Sequence, residues 1–271
     1  MFKRFITIFV VAPIVFLFIL YDVPPYGIIP FLMLMVAVAI LATNEYFSIT
    51  SYKKGNPYEI MGYVLVLAFV VSTYMKETMV FWNSKLSLLI SILLVFGFIT
   101  EVFLKKVIGC KNNFFVVIRG ILYIGWFYSY FVLLRGLDHG FAYLIYLVLT
   151  IASCDTMAYI VGIKFGKHKI APFISPKKSV EGCIAGFISA VIASYFLGAH
   201  YLGLNHAIIM GMIVGVFGQL GDLFESLIKR KYEVKDSGWI LPGHGGILDR
   251  LDSASFIAPL IYYYLTMVIL R

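Results

Sequence analysis

The sequence predicts an all-α polytopic integral membrane protein with about nine transmembrane helices and polar loops on the cytoplasmic side. Hydrophobic residues make up 61% of the 271 residues and charged residues only 13%, against roughly 45–50% and about 25% in ordinary globular proteins. The apolar residues run together in stretches near the ~20 residues that cross a bilayer as a helix. They do not alternate with polar residues, as the strands of a transmembrane barrel would.

The composition also excludes several classes of protein. A soluble fold of this length has too little interior for so much apolar surface, which excludes a soluble nucleotide-binding domain, a disordered tail and a secreted disulfide scaffold. The net charge of +8 does not indicate nucleic-acid binding, because no basic stripe alternates with exposed aromatic residues. The three cysteines form no CxxC pair, so we expect neither a zinc site nor a disulfide framework.

The apolar runs predict a single membrane domain, 1–271. Its first half, 1–150, consists of apolar helices, and its second half, 151–271, is expected to carry the catalytic residues. The predicted spans are 5–21, 26–43, 59–75, 79–104, 116–136, 139–163, 180–202, 205–222 and 253–270. The first run follows Lys3 and Arg4 as in a signal peptide, but no small-residue cleavage site comes after it. We therefore expect a retained helix.

The distribution of Lys and Arg orients these spans. With the N-terminus in the cytoplasm and an odd number of spans, 18 of the 22 basic residues lie on the cytoplasmic side, as the positive-inside rule requires. The three longest polar segments, 44–58, 164–179 and 223–252, share that side. We therefore expect the chemistry to be cytoplasmic.

The segment 221–252 holds six of the fourteen acidic residues. Asp222 closes an apolar run, and Asp249 and Asp252 open the last span. Carboxylates at such a depth are costly unless they are paired, hydrated or bound to a cation.

Helical spacing would bring these groups together. If the eighth span continues as a helix, one face of it carries Asp222, Glu225, Ser226 and Lys229. Hard oxygen ligands suit Mg²⁺, which usually takes one or two carboxylates and completes its shell with water and phosphate oxygens. Basic residues stand beside the acids, namely Lys229, Arg230, Lys235 and Arg250. Carboxylates and cations in one pocket are typical of phosphoryl or nucleotidyl transfer.

Two further segments carry candidate residues. In the loop 242–246, Gly245 and Gly246 permit close backbone approach to phosphate oxygens, and His244 is a phosphate donor or a proton-transfer group. Upstream, Asp155 lies inside an apolar helix, a placement that favours function. Ser175, or less simply Ser179, would cap the following helix, whose N-terminus attracts anions together with Lys178.

Each feature taken alone has a simpler interpretation. Asp222 would be a helix-end charge, the glycine-rich loop an ordinary turn, and the basic run 229–231 an anchor for anionic lipids. Glu45 and Glu101 lie near span ends and are interpreted as interfacial residues without a role. The density of acids, bases and glycines on one face is what favours a functional site.

These residues resemble the phosphatidate cytidylyltransferases, or CDP-diacylglycerol synthases. The family pattern S-x-apolar-K-R-x4-K-D-x-G-x2-L-P-x-H-G-G-x-x-D-R-x-D is matched at every fixed position from Ser226 to Asp252. Two shorter stretches, 155–159 and 175–182, resemble the family's D-x-x-A-Y and S-P-x-K-[ST]-x-[EQ]-G motifs, with Ser179 where Thr is commoner. The resemblance covers roughly residues 150–255.

The resemblance implies Mg²⁺-dependent transfer of CMP from CTP to phosphatidic acid, giving CDP-diacylglycerol and pyrophosphate for phospholipid biosynthesis. Asp222 and Asp249 would hold Mg²⁺, with a second cation of unknown identity left open. Asp252 and Asp155 would order the site, and phosphatidate is already ionised, so His244 would bind phosphate or order its loop. The remaining phosphate- and substrate-binding residues would be Ser175, Lys178, Ser179, Ser226, Lys229, Arg230, Lys235, Gly245, Gly246 and Arg250.

The expected partners are CTP, phosphatidic acid and membrane lipids, without nucleic acid; a homodimer is left open, and a bacterial inner membrane is the expected location. A CTP-dependent polyprenol kinase is the alternative enzyme, because it needs the same metal and nucleotide groups. A transporter is less favoured, since the sequence lacks an internal repeat and paired broken helices.

Overall fold

The structure, a computed structural model, describes residues 27–50, 58–75, 80–107, 112–238 and 245–270. The α-helices, in chain order, are α1 (Ile29–Thr50), α2 (Glu59–Ser72), α3 (Lys85–Leu104), α4 (Asn113–Gly120), α5 (Phe127–Arg135), α6 (Gly140–Phe165), α7 (Val180–Leu202), α8 (Leu204–Lys231) and α9 (Leu248–Tyr264). Short 3-10 turns occupy Thr73–Met75 and Val80–Asn83, and π-helical turns occupy Ile121–Trp126 and Leu265–Ile269.

Seven helical segments in the described ranges are long and apolar enough to cross a membrane. They are α1, α3, the continuous rod Asn113–Arg135, α6, α7, α8 and Leu248–Ile269. The segment Glu59–Met75 is apolar but shorter. The prediction of an all-α polytopic membrane protein is thus confirmed. The count of nine spans is not, and the first predicted span, 5–21, lies outside the described residues.

A short hairpin interrupts the helices between α6 and α7. Strands β1 (Lys169–Ala171) and β2 (Ser175–Ser179) pair antiparallel, with Lys169 opposite Ser179 and Ala171 opposite Ser175. Ser179 ends the hairpin in extended conformation and its hydroxyl accepts a hydrogen bond from Gly182 N (3.2 Å), which starts α7. Of the two predicted caps, Ser175 is therefore wrong and Ser179 is confirmed, because strand pairing keeps the chain extended for four residues beyond Ser175.

Small residues let α7 pack closely between α6 and α8. Along the buried face of α7, every fourth residue from 182 to 198 is small: Gly182, Gly186, Ala190, Ser194 and Gly198. A Cβ added to Gly186 would lie 2.9 Å from the Cys154 carbonyl oxygen of α6, and one on Gly211 of α8 would lie 2.7 Å from Val191 Cα. Such close backbone approach is how membrane helices gain packing energy, and it brings polar residues of α6 and α8 to one side of α7.

An aromatic cluster fixes α8 against α9. The rings of Phe98 on α3 and Phe224 on α8 stack with centroids 4.5 Å apart, and Phe256 of α9 lies 5.5 Å from Phe224. Phe224 and Phe256 are fully buried. Because Phe224 precedes Glu225 in sequence, this packing holds the acidic end of α8 beside the start of α9.

Candidate active site

The C-terminal end of α8 carries the first group of candidate residues. The helix continues to Lys231, so Asp222, Glu225, Ser226 and Lys229 lie along one helix, as the spacing predicts. Ser226 Oγ donates to Asp222 Oδ1 (3.3 Å), and Lys229 Nζ lies 2.5 Å from Glu225 Oε2.

Lys229 joins this helix to the start of α9. Its ammonium also lies 2.7 Å from Asp249 Oδ1. The other carboxylate oxygen, Asp249 Oδ2, accepts hydrogen bonds from Ser237 N (3.0 Å) and Gly246 N (2.9 Å). The side chains of Glu225, Lys229 and Asp249 are only 4%, 12% and 13% exposed. Two carboxylates therefore share one buried ammonium.

The hairpin supplies a second cation. Lys178 Nζ of β2 lies 2.7 Å from Asp222 Oδ2 and donates weakly to the Gln219 carbonyl oxygen (3.4 Å). Asp155 lies close enough to Asp222 and Arg250, and Asp252 close enough to Asp222, for their charges to interact. Acids from α6, α8 and α9 thus converge on the region that Lys178 reaches.

A cavity of about 720 Å³ lies between α6, β2, α7 and α8. Four candidate residues line it: Asp155, Lys178, Ser179 and Asp222. Its wall also includes exposed Tyr159 and Ile163 on α6. The cavity therefore combines a charged interior with an apolar wall on the outer surface of the bundle, an arrangement that suits a ligand with a phosphate head and apolar chains.

Asp222 and Asp249 offer carboxylate oxygens, which are the donor type that Mg²⁺ prefers. Asp222 Oδ2 and Asp249 Oδ1 each lie 2.7 Å from a lysine ammonium. Each oxygen therefore already binds a cation. Among the described residues no group of three or more His, Cys, Asp or Glu side chains is arranged to hold a metal ion. Magnesium needs only one or two carboxylates when phosphate oxygens complete its shell.

Other predicted residues take different places. The Arg230 guanidinium donates to the carbonyl oxygens of Ile174 and Val234, both at 3.2 Å, and so ties the hairpin to the end of α8. Ser175 opens β2, and Lys235 is exposed. Gly245 has φ +84°, the left-handed conformation that glycine permits. His244 and the segment 239–244 lie outside the described residues.

Sequence reasoning missed Glu45. This residue was interpreted as interfacial, and that was wrong: its side chain is buried inside the bundle and accepts hydrogen bonds from the backbone at the start of α9. The second predicted span ends at residue 43 and leaves Glu45 in the polar segment 44–58, whereas α1 continues as a helix to Thr50 and carries Glu45 into the bundle. Glu101 is likewise buried, and it pairs with Arg119 at 2.8 Å.

Comparison with known proteins gives one family match and one relative that span nearly the whole chain, and further relatives that match part of it. The family described as the Cytidylyltransferase family matches residues 2–268. A phosphatidate cytidylyltransferase of Bacillus subtilis is 37% identical over 270 residues, which cover 98% of both chains. One from Staphylococcus haemolyticus is 41% identical over 168 residues (59% of this chain, 64% of the relative), and one from Staphylococcus aureus is 44% identical over 147 residues (53% and 56%).

Proposed function

The chain belongs to the Cytidylyltransferase family and is an integral membrane nucleotidyltransferase, and we propose that it transfers CMP from CTP to phosphatidic acid. The products are CDP-diacylglycerol and pyrophosphate. The proposal takes its substrates from the names of the relatives. The observation that carries it is the pairing of Lys178 with Asp222 and of Lys229 with Asp249 at the junction of the hairpin, α8 and α9.

The reaction needs positioning and charge neutralisation more than proton abstraction. An ionised phosphatidate oxygen attacks the α-phosphorus of CTP, a new P–O bond forms, and the bond between the α-phosphorus and the bridging oxygen to the β-phosphate breaks. Pyrophosphate carries the electron pair away. Negative charge accumulates on phosphate oxygens throughout, so fixed cations in a partly dehydrated site stabilise the transition state.

We assign roles to individual residues on this basis. Lys178, Lys229 and Arg250 bind phosphate oxygens, and Asp155 and Asp252 order these cations by their opposite charge. Asp222 and Asp249 are the residues that would hold Mg²⁺. When bound, this ion neutralises charge on the phosphate oxygens and orients them.

The two substrates reach the site from different phases. The apolar wall formed by Tyr159 and Ile163 lies on the outer surface of α6, so the acyl chains of phosphatidate remain in the bilayer while its head enters the cavity. CTP comes from the aqueous side on which the basic segments lie. By the Lys/Arg distribution that side is the cytoplasm, and the bacterial relatives support a bacterial inner (plasma) membrane as the proposed location.

The test is a turnover assay on the full chain purified in detergent. With phosphatidate, CTP labelled in its α-phosphate and Mg²⁺, we expect a labelled lipid and an equal amount of pyrophosphate, both lost on chelation. Release of CDP with a polyprenol acceptor, and no labelled lipid with phosphatidate, would favour a kinase instead. A folded sample that turns over CTP with neither acceptor refutes the proposed activity.

A further inference from the structure

Glu45 connects the first half of the chain to the segment that carries the acids and bases. It lies on α1 and is 2% exposed. Its Oε1 accepts a hydrogen bond from Ile247 N (3.0 Å), and its Oε2 accepts from Leu248 N (3.0 Å) and from Ser237 Oγ (3.2 Å). One carboxylate thus binds three groups about 200 residues away in sequence.

This contact gives the backbone N–H groups at the start of α9 their hydrogen-bond acceptors. The first amides of a helix have no partner within the helix, and a carboxylate is the favoured ligand for them because of the helix dipole. The residue at the cap position is Ile247, whose side chain cannot accept a hydrogen bond. Glu45 therefore supplies from another helix what a local Ser or Asp usually supplies.

Two glycines of the segment leave room for the Glu45 side chain. A Cβ on Gly238 would lie 2.6 Å from Glu45 Oε1, and a Cβ on Gly246 would overlap Glu45 Oε2 and Ser237 Oγ. A side chain at either position would displace the carboxylate. Glycine at positions 238 and 246 is consequently required by the Glu45 side chain, which belongs to α1.

Ser237 continues the contact to Asp249. Its hydroxyl donates to Glu45 and accepts from Asp249 N (3.4 Å), while its own amide donates to Asp249 Oδ2 (3.0 Å). Fixing Ser237 and the first turn of α9 fixes the Asp249 carboxylate. Asp249 Oδ1 is then presented to Lys229.

We propose that Glu45 is a positioning residue of the nucleotidyl-transfer site: it anchors the start of α9 and Ser237, and through them sets the direction of the Asp249 carboxylate. This inference rests on the proposed function for its effect on catalysis. The anchoring itself is independent of the substrate.

The test compares Glu45→Gln with Glu101→Gln in the full chain. In Glu45→Gln an amide NH₂ faces backbone N–H groups, so we expect hydrogen exchange of the peptide 245–250 to accelerate about tenfold or more. The Mg²⁺ concentration for half-maximal turnover should rise about 10- to 100-fold, as for other groups that orient metal ligands. Glu101→Gln also removes a buried carboxylate, but its partner is Arg119, so both readouts should stay at wild-type values.

Ser237→Ala keeps Glu45 and removes only the hydroxyl link. We expect a smaller shift of the Mg²⁺ midpoint in the same direction, and a double variant that is less than additive. Wild-type exchange at 245–250 in Glu45→Gln overturns the anchor, and an unchanged Mg²⁺ midpoint in both variants overturns the positioning role. If the wild type does not make the lipid product, the proposed activity fails while accelerated exchange still supports the anchor.

Discussion

Removal of the Lys229 cation should be costly to stability. Its ammonium lies 2.5 Å from Glu225 Oε2 and 2.7 Å from Asp249 Oδ1. Lys229→Met keeps the length and most of the apolar stem of the side chain but removes the charge. Two carboxylates on α8 and α9 then face each other without a cation between them.

The size of the effect follows from burial. Side-chain exposures of 4% for Glu225, 12% for Lys229 and 13% for Asp249 leave little water to replace the ammonium. Breaking a buried ion pair by removing one partner costs about 3–5 kcal/mol. For a chain of this size 1 kcal/mol shifts the melting temperature by about 2–4 °C, so Tm should fall on the order of 6–20 °C.

Thermal unfolding of the detergent-purified variants measures this directly. Lys231→Met is the matched control, because Lys231 lies in the last turn of the same helix and is exposed; it should leave Tm unchanged. Glu225→Gln combined with Lys229→Met removes one of the two unpaired charges and should recover about half of the loss. A Lys229→Met protein that melts within about 2 °C of wild type, or a double variant less stable than the single one, refutes the reasoning.

Three further predictions concern the same site. Asp249→Asn should lower turnover at least ~10²-fold while the protein stays folded, since Lys229 keeps Glu225 as a partner. Glu233→Gln, at an exposed position of the same segment, should retain full turnover, and equal rates in the two variants would contradict the role assigned to Asp249. Lys178→Met should reduce kcat/KM about 10- to 100-fold, the loss expected for one charge-assisted hydrogen bond, and steady-state kinetics that match wild type would exclude Lys178 from phosphate binding. Gly246→Ala should destabilise the protein and abolish turnover, because the added Cβ overlaps Ser237 and Glu45. In Gly97→Ala the added Cβ has nothing within 4 Å, so this variant should be more stable than wild type by roughly 0.5–1 kcal/mol. Thermal unfolding of the two variants decides whether lack of space at Gly246 causes the loss of stability.

Local sequence was sufficient for the helices and for most of the candidate residues. Apolar length predicted eight segments that the structure forms as helices, and the spacing of Asp222, Glu225, Ser226 and Lys229 predicted their common helix. These features depend on a single segment and its solvent: a run of apolar residues in lipid must satisfy its backbone hydrogen bonds internally, which makes it helical.

Contacts between distant segments could not be read from the sequence. The sequence left both Ser175 and Ser179 open as the cap of α7, and the hairpin decides for Ser179. The contact of Glu45 with the N-terminus of α9 was not predicted. Which carboxylate meets which lysine or amide depends on how α1, α8 and α9 pack, and a periodic pattern carries no information about that. The sequence by itself determined the kind of protein and the residue types of its site. Only the tertiary structure decided their partners, because pairing across helices is set by packing in three dimensions.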